Sequence, residues 1–150
     1  MDGPMGKVTT RVRVTNQNDV ENVRRGLAPP ESVRSLEVDA LVDTGATLMA
    51  LPSDLCERLG LAPEGTRKVR YADGRVAEIP WVASVRIEIV GRTTVCEALV
   101  EAVGTAPLIG QIPLEAVDLV VDSRSREVRV NPASPDAPLL DLLGAGACAA

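Results

Sequence analysis

Histidine is absent from all 150 residues. Its absence removes Ser-His-Asp and Cys-His catalysis, histidine-ligated metals and imidazole proton transfer together. Acid or base chemistry must then fall to carboxylates, lysine, tyrosine or cysteine. Phenylalanine is also missing, and Tyr71 and Trp81 are the only aromatic residues, so the core must be built from aliphatic side chains. Short valine-rich runs of this kind lean towards strands. Cys56, Cys96 and Cys148 are odd in number and far apart, which fits neither a disulfide framework nor the paired spacing of a zinc site. No metal and no cofactor is expected, and a reducing cytoplasm is the expected location.

Long apolar runs are lacking too. No stretch is long enough to span a bilayer, so no membrane partner is expected. Met1 to Arg13 alternates polar and apolar residues without the continuous hydrophobic segment of a signal peptide. Basic residues number 16 against 21 acidic ones, a net charge of −5, and they are scattered along the chain. Nucleic acid is therefore not an expected partner. The length suits one globular domain with an ordinary core.

What is present reads mostly as strands and tight turns. Lys7 to Thr15 alternates Val8, Val12 and Val14 with charged and hydroxyl residues, the pattern of a half-buried or edge strand. Asn16 to Glu31 is polar and turn-rich, a connection with a helical turn near Val20 to Gly26. From Val33 the chain carries Leu36, Val38, Ala40 and Val42 on one face and ends in Asp43-Thr44-Gly45. Thr47 to Leu51 is extended, and Pro52-Ser53-Asp54 opens a short helix that Gly60 closes. Arg67 to Tyr71 and Arg75 to Ala83 flank Asp73-Gly74, a strong hairpin signal, with Pro80 placing the second arm at an edge or a bend. Val85 to Val90 and Thr93 to Val103 make another hairpin around a Gly91-Arg92 turn. Pro107 to Gly110 reads as a buried strand, Ile112 to Ala116 as a helical turn, and Leu119 to Val121 with Glu127 to Val130 as a last strand pair. No internal repeat occurs, and no second Asp-Thr-Gly.

A lone Asp-Thr-Gly suits any strand end followed by a turn. Here it stands in Leu41-Val42-Asp43-Thr44-Gly45-Ala46, followed by the Tyr71-to-Arg75 hairpin about 30 residues on and by Leu108-Ile109-Gly110. In that order, with the helix from Pro52 to Gly60, these features resemble the single-domain, retropepsin-like aspartic proteases, the family of retroviral proteases and related bacterial proteins. The likeness covers Val33 to Pro132. It implies an all-β fold, a small closed barrel of the acid-protease type with a flap hairpin and one or two short helices. The domain would then span residues 1–132, with 133–150 as a flexible, Pro- and Ala-rich tail.

The resemblance also implies roles. Asp43 becomes the catalytic carboxylate of a peptide hydrolase. Gly45 and Ala46 would lie against substrate, as would Ala72, Asp73 and Gly74 of the flap. Thr44 would bond across the two active-site loops, and Leu108, Ile109 and Gly110 would cross behind the loop as support. Two carboxylates held near 3 Å share one proton, which lets one activate water while the other stabilises the oxyanion. A single Asp-Thr-Gly then demands a homodimer, with one Asp43 from each copy.

Departures from the pattern are also visible. Retroviral members carry acidic residues just after the alanine and an arginine after the second glycine, where this chain has Thr47-Leu48 and Gln111. The ion-pair network those residues build cannot form here. Ala46, where other members have serine, cannot donate a hydrogen bond to a carboxylate, which predicts a less acidic optimum than a serine variant would have. Two other readings stay open: a retropepsin-fold module that dimerises or binds peptides without turnover, and an aspartate that accepts a phosphoryl group. Against the latter, Gly45 stands where a second acid is usual, and no alternating strand-helix pattern follows.

Overall fold

The computed structural model describes residues 7–142. Six strands close into a barrel. β1 (Val8–Asn16) pairs antiparallel with β2 (Ser35–Val42) along its whole length, from Val8 opposite Val42 to Thr15 opposite Ser35. β2 continues parallel onto β7 (Leu108–Ile109), which lies against β3 (Met49–Pro52). β3 runs parallel to β6 (Arg92–Glu101), and β6 antiparallel to β5 (Val76–Ile89). β5 returns to β1 through Val85 to Glu88 against Arg13 to Asn16, so the ring leaves no free edge. This is the expected all-β barrel, but with three short helices rather than one or two, α1 (Gln17–Arg24), α2 (Ser53–Arg58) and α3 (Gln111–Val117).

The interior is aliphatic. Val12, Val14, Ala40, Met49, Leu51, Val82, Val85, Ile87, Ile89, Ala98 and Ile109 are fully buried, supplied by the inward positions of alternating strands. A chain with two aromatic residues thus reaches closure by valine and leucine interdigitation.

The expected boundary near Ala83 is a bend inside one strand. Ser84 has φ of 60°, and the register of β5 against β6 shifts between Val82 and Val85. This bulge flips the parity of the strand, so that Val82 and then Val85, Ile87 and Ile89 all face inward. N-terminal to the bend, β5 leaves the barrel wall and pairs with β4 (Pro63–Arg70), a seventh strand that extends as a hairpin arm. The following turn also differs from expectation. It is centred on Val90 and Gly91, with φ of 51° and 78°, one residue before the expected Gly91-Arg92. Two consecutive positive φ values match the right-handed strand twist, and Arg92 instead opens β6 facing Ile89.

Arg92 is buried and donates to the carbonyls of Val117, Asp118 and Ser134. Asp118 in turn accepts from Asn131 Nδ2 at 2.9 Å, from the Ser134 hydroxyl and from the Leu139 amide at 3.0 Å. These three donors hold the Asp118 carboxyl down to about 2. The network ties the end of the hairpin β8 (Leu119–Asp122) and β9 (Glu127–Val130) to the barrel, together with the segment that follows. Residues 133–142 hold no helix or strand, yet Ser134 is buried. The rest of the expected tail, 143–150, lies outside the described residues. No described helix is long and apolar enough to cross a membrane.

Candidate active site

Asp43 follows the last residue of β2, where pairing with two neighbours fixes the backbone. The Leu41 amide donates to the Pro107 carbonyl at 2.8 Å and the Asp43 amide to the Ile109 carbonyl at 2.9 Å. Immediately beyond, the chain turns. The Ala46 amide donates to the Asp43 carbonyl at 3.1 Å, and the Gly45 amide donates to Asp43 Oδ1 at 2.9 Å. A Cβ on Gly45 would lie 3.2 Å from that same oxygen, so glycine leaves room for the carboxylate against the backbone. Oδ2 has no hydrogen-bond partner among the described residues, and both Asp43 and Thr44 are exposed. The Thr44 hydroxyl is likewise without a partner among the described residues.

Gly110 explains why the second signature ends in glycine. A Cβ there would meet the Leu48 carbonyl at 2.3 Å and the Ala46 carbonyl at 2.7 Å, which no side chain tolerates. The close approach lets the Gln111 amide donate to the Ala46 carbonyl at 2.7 Å and the Ile112 amide to the Thr47 carbonyl at 3.0 Å. Leu108 and Ile109 pair with Leu41 and Val42, so all three residues of the signature brace the loop from behind. The Gln111 side chain turns away to Glu115 at 2.8 Å.

Above the loop stands the arm of β4 and β5. Its tip is a three-residue loop, Ala72-Asp73-Gly74, closed by the Tyr71 amide on the Arg75 carbonyl at 2.8 Å. Of these residues only Gly74 has a positive φ, 87°, and Asp73 Oδ1 accepts from the Arg75 amide at 2.9 Å. The Asp-Gly pair thus makes a turn with an αL glycine rather than a two-residue hairpin. Arg75 stacks on the Tyr71 ring at 4.4 Å, and Arg67 on Trp81 at 4.1 Å.

Between loop and arm lies a cleft of about 780 Å³, bounded by Asp43, Gly45, Ala46 and Leu48 on one side and by Val69, Tyr71 and Ala72 on the other. The structure thus brings Asp43, Gly45, Ala46, Ala72 and Leu108 onto one cleft, while Thr44 borders a second, smaller hollow of about 320 Å³ with Lys7, Val8 and Val121, which Asp43 and Leu108 also line. Asp73, Gly74, Ile109 and Gly110 do not line the cleft; the first two sit at the arm's tip and the others behind the loop. Sequence reasoning missed Ala50, Ile79, Leu99 and Glu101, which also bound it. Alternation places Leu99 and Glu101 on one face of β6, but only the parallel pairing with β3, Ala50 opposite Leu99, turns that face to the cleft.

Neither described thiol is a candidate nucleophile. Burial pushes Cys56 up to about 11 and Cys96 up to about 12, leaving both protonated and inert at neutral pH. Among the described residues, no group of three or more carboxylates and thiols gathers as a metal site would require.

A barrel that delivers an Asp-Thr-Gly turn from one strand end and braces it with a glycine crossing has the architecture of acid proteases. A family model described as "gag-polyprotein putative aspartyl protease" matches residues 32–116, from just before β2 into α3. The chain belongs to this retropepsin-like aspartic protease family. No curated protein matches the chain.

Proposed function

We propose that the chain is a homodimeric aspartic endopeptidase that hydrolyses extended peptide segments with two Asp43 carboxylates, one from each subunit. The observation that carries this reading is the setting of Asp43. Its carboxylate is fixed through Oδ1 by the Gly45 amide, keeps Oδ2 free among the described residues and opens on the cleft of about 780 Å³ between loop and arm. The single Asp-Thr-Gly of the chain supports the dimer, because a two-carboxylate centre then needs a second copy, and the exposure of Asp43 and Thr44 leaves both open to it.

In the proposed reaction two Asp43 side chains near 3 Å apart cannot both ionise, so they hold one proton between them. The ionised partner takes a proton from a water molecule lying between them. That water attacks the peptide carbonyl, and the protonated partner hydrogen-bonds the developing oxyanion. The tetrahedral intermediate collapses as the amine leaves with a proton returned from the dyad. Thr44 would bond across the two loops, the Gly45 carbonyl would accept from the substrate backbone beside Ala46, and Ala72, Asp73 and Gly74 would close over it as a flap. Leu108, Ile109 and Gly110 would keep the loop rigid. Cys56 and Cys96, which form no disulfide among the described residues, suit a reducing compartment such as the cytoplasm.

The test is cleavage of a peptide library, read by mass spectrometry, for the wild type and Asp43→Asn across acidic to neutral pH. Cleavage by the wild type and none by the variant is the expected result. Equal cleavage by both overturns the assignment of Asp43. Peptide binding without cleavage by either would make the protein a binding module on this fold.

A further inference from the structure

The charges around the cleft are not equivalent. Arg67 is already paired, with Glu97 at 2.8 Å and the Trp81 ring beneath it. Lys68 and Arg70 also border the cleft, exposed and without an ion pair among the described residues, alternating along β4 with half-buried Arg67 and Val69. Glu101 stands apart from these. It ends β6 two residues beyond Leu99, is half-buried, and forms no ion pair among the described residues.

One oxygen of Glu101 is oriented. The Tyr71 hydroxyl donates to Oε1 at 3.0 Å, across the cleft from arm to barrel wall, and Tyr71 is itself pushed up by that bond to Glu101. Oε2 has no partner among the described residues. Beside this carboxylate the cleft wall is apolar, made by Ala50, Ile79, Leu99 and Leu108. An apolar wall with a half-buried carboxylate at its end, one oxygen fixed and one free, matches a long side chain with an aliphatic stem and a cationic head.

We propose that Glu101 determines specificity, ending a subsite that takes an arginine or lysine side chain of the bound peptide, with Tyr71 as the positioning residue. The stem would pack on Ile79 and Leu99, and the head would donate to Oε2. This rests on the reading of the cleft as a peptide-cleaving site.

The experiment uses matched peptides carrying Arg, Lys, norleucine or Glu in turn at each position flanking a cleaved bond. For the wild type, kcat/KM should favour Arg and Lys over norleucine by about tenfold or more at one position, the size expected of a charge-assisted bond. Glu101→Gln should collapse that ratio by about tenfold, Glu101→Lys should turn the preference to Glu, and Tyr71→Phe should lower the ratio part of the way. A wild-type ratio near one, a preference for Glu, or a ratio that Glu101→Gln leaves in place overturns the subsite. The same peptides titrated onto Asp43→Asn protein separate the two claims. A Glu101-dependent preference for basic peptides in binding, with no cleavage by the wild type, upholds the subsite and overturns the peptidase. Cleavage without that preference does the reverse, and neither binding nor cleavage overturns both.

Discussion

The amide of Gln111 donates to the carbonyl of Ala46 at 2.7 Å, joining the chain that leaves the second glycine signature to the loop that carries Asp43. The contact exists because Gly110 has no side chain, and it makes the loop's position a property of a residue 67 positions away (110 − 43).

Gly110→Ala is therefore expected to damage both stability and activity. The added carbon would need to clear two backbone oxygens at 2.3 Å and 2.7 Å, and overpacking of this kind costs about 1–3 kcal/mol. Denaturant unfolding should show that loss. Because the loop must move, peptide cleavage should fall by about a hundredfold at temperatures where the variant is still folded. A variant with unaltered unfolding midpoint and activity would mean the loop is held by something else.

Ala46 lines the cleft next to the turn that fixes the Asp43 carboxylate. A hydroxyl donating to the ionised form of a carboxylate favours that form, so Ala46→Ser should move the acid limb of the pH-rate profile to lower pH. A profile that does not move would show that residue 46 does not reach the carboxylates.

Acid stability should depend on Asp118. Its carboxyl is depressed from 3.8 to about 2 by Ser134, Asn131 and Leu139, so the folded state binds the proton less readily than the unfolded chain. The resulting stabilisation is complete above pH 3.8 and is lost as pH falls towards 2. Asp118→Asn removes this contribution, so the stability gap between wild type and variant should narrow over that window. Chemical unfolding at pH 6, 4 and about 2.5 would measure it, and a constant gap would contradict the assignment.

Much of the barrel and its site was legible in the chain because local rules apply to them. Alternation of Leu36, Val38, Ala40 and Val42 marks β2, and Asp43-Thr44-Gly45 marks its end. The hairpin around Asp73-Gly74 follows from turn chemistry, although the structure uses one more residue in the loop than a two-residue turn. The illegible parts depend on distant partners. Nothing near Val82 announces that Ser84 will adopt a positive φ and merge two expected arms into one strand, since the bulge answers to the register with β6. The helix α1 is formed where only a turn was expected, because Asn16 caps it through the Asp19 amide and the Asp19 carboxylate binds Arg34. Glu101 belongs to the cleft through the pairing of β3 with β6, a relation between segments about fifty residues apart that no local pattern encodes.

The proposed reaction centre needs Asp43 from two copies, and subunit mixing measures this directly. Wild-type and Asp43→Asn protein are combined in equal amounts at fixed total concentration, exchanged to equilibrium and assayed on one peptide. If each centre requires both carboxylates, only pairs of wild-type subunits are active, and about a quarter of the unmixed activity should remain. About half remaining would mean that each chain acts alone, and would contradict the shared dyad.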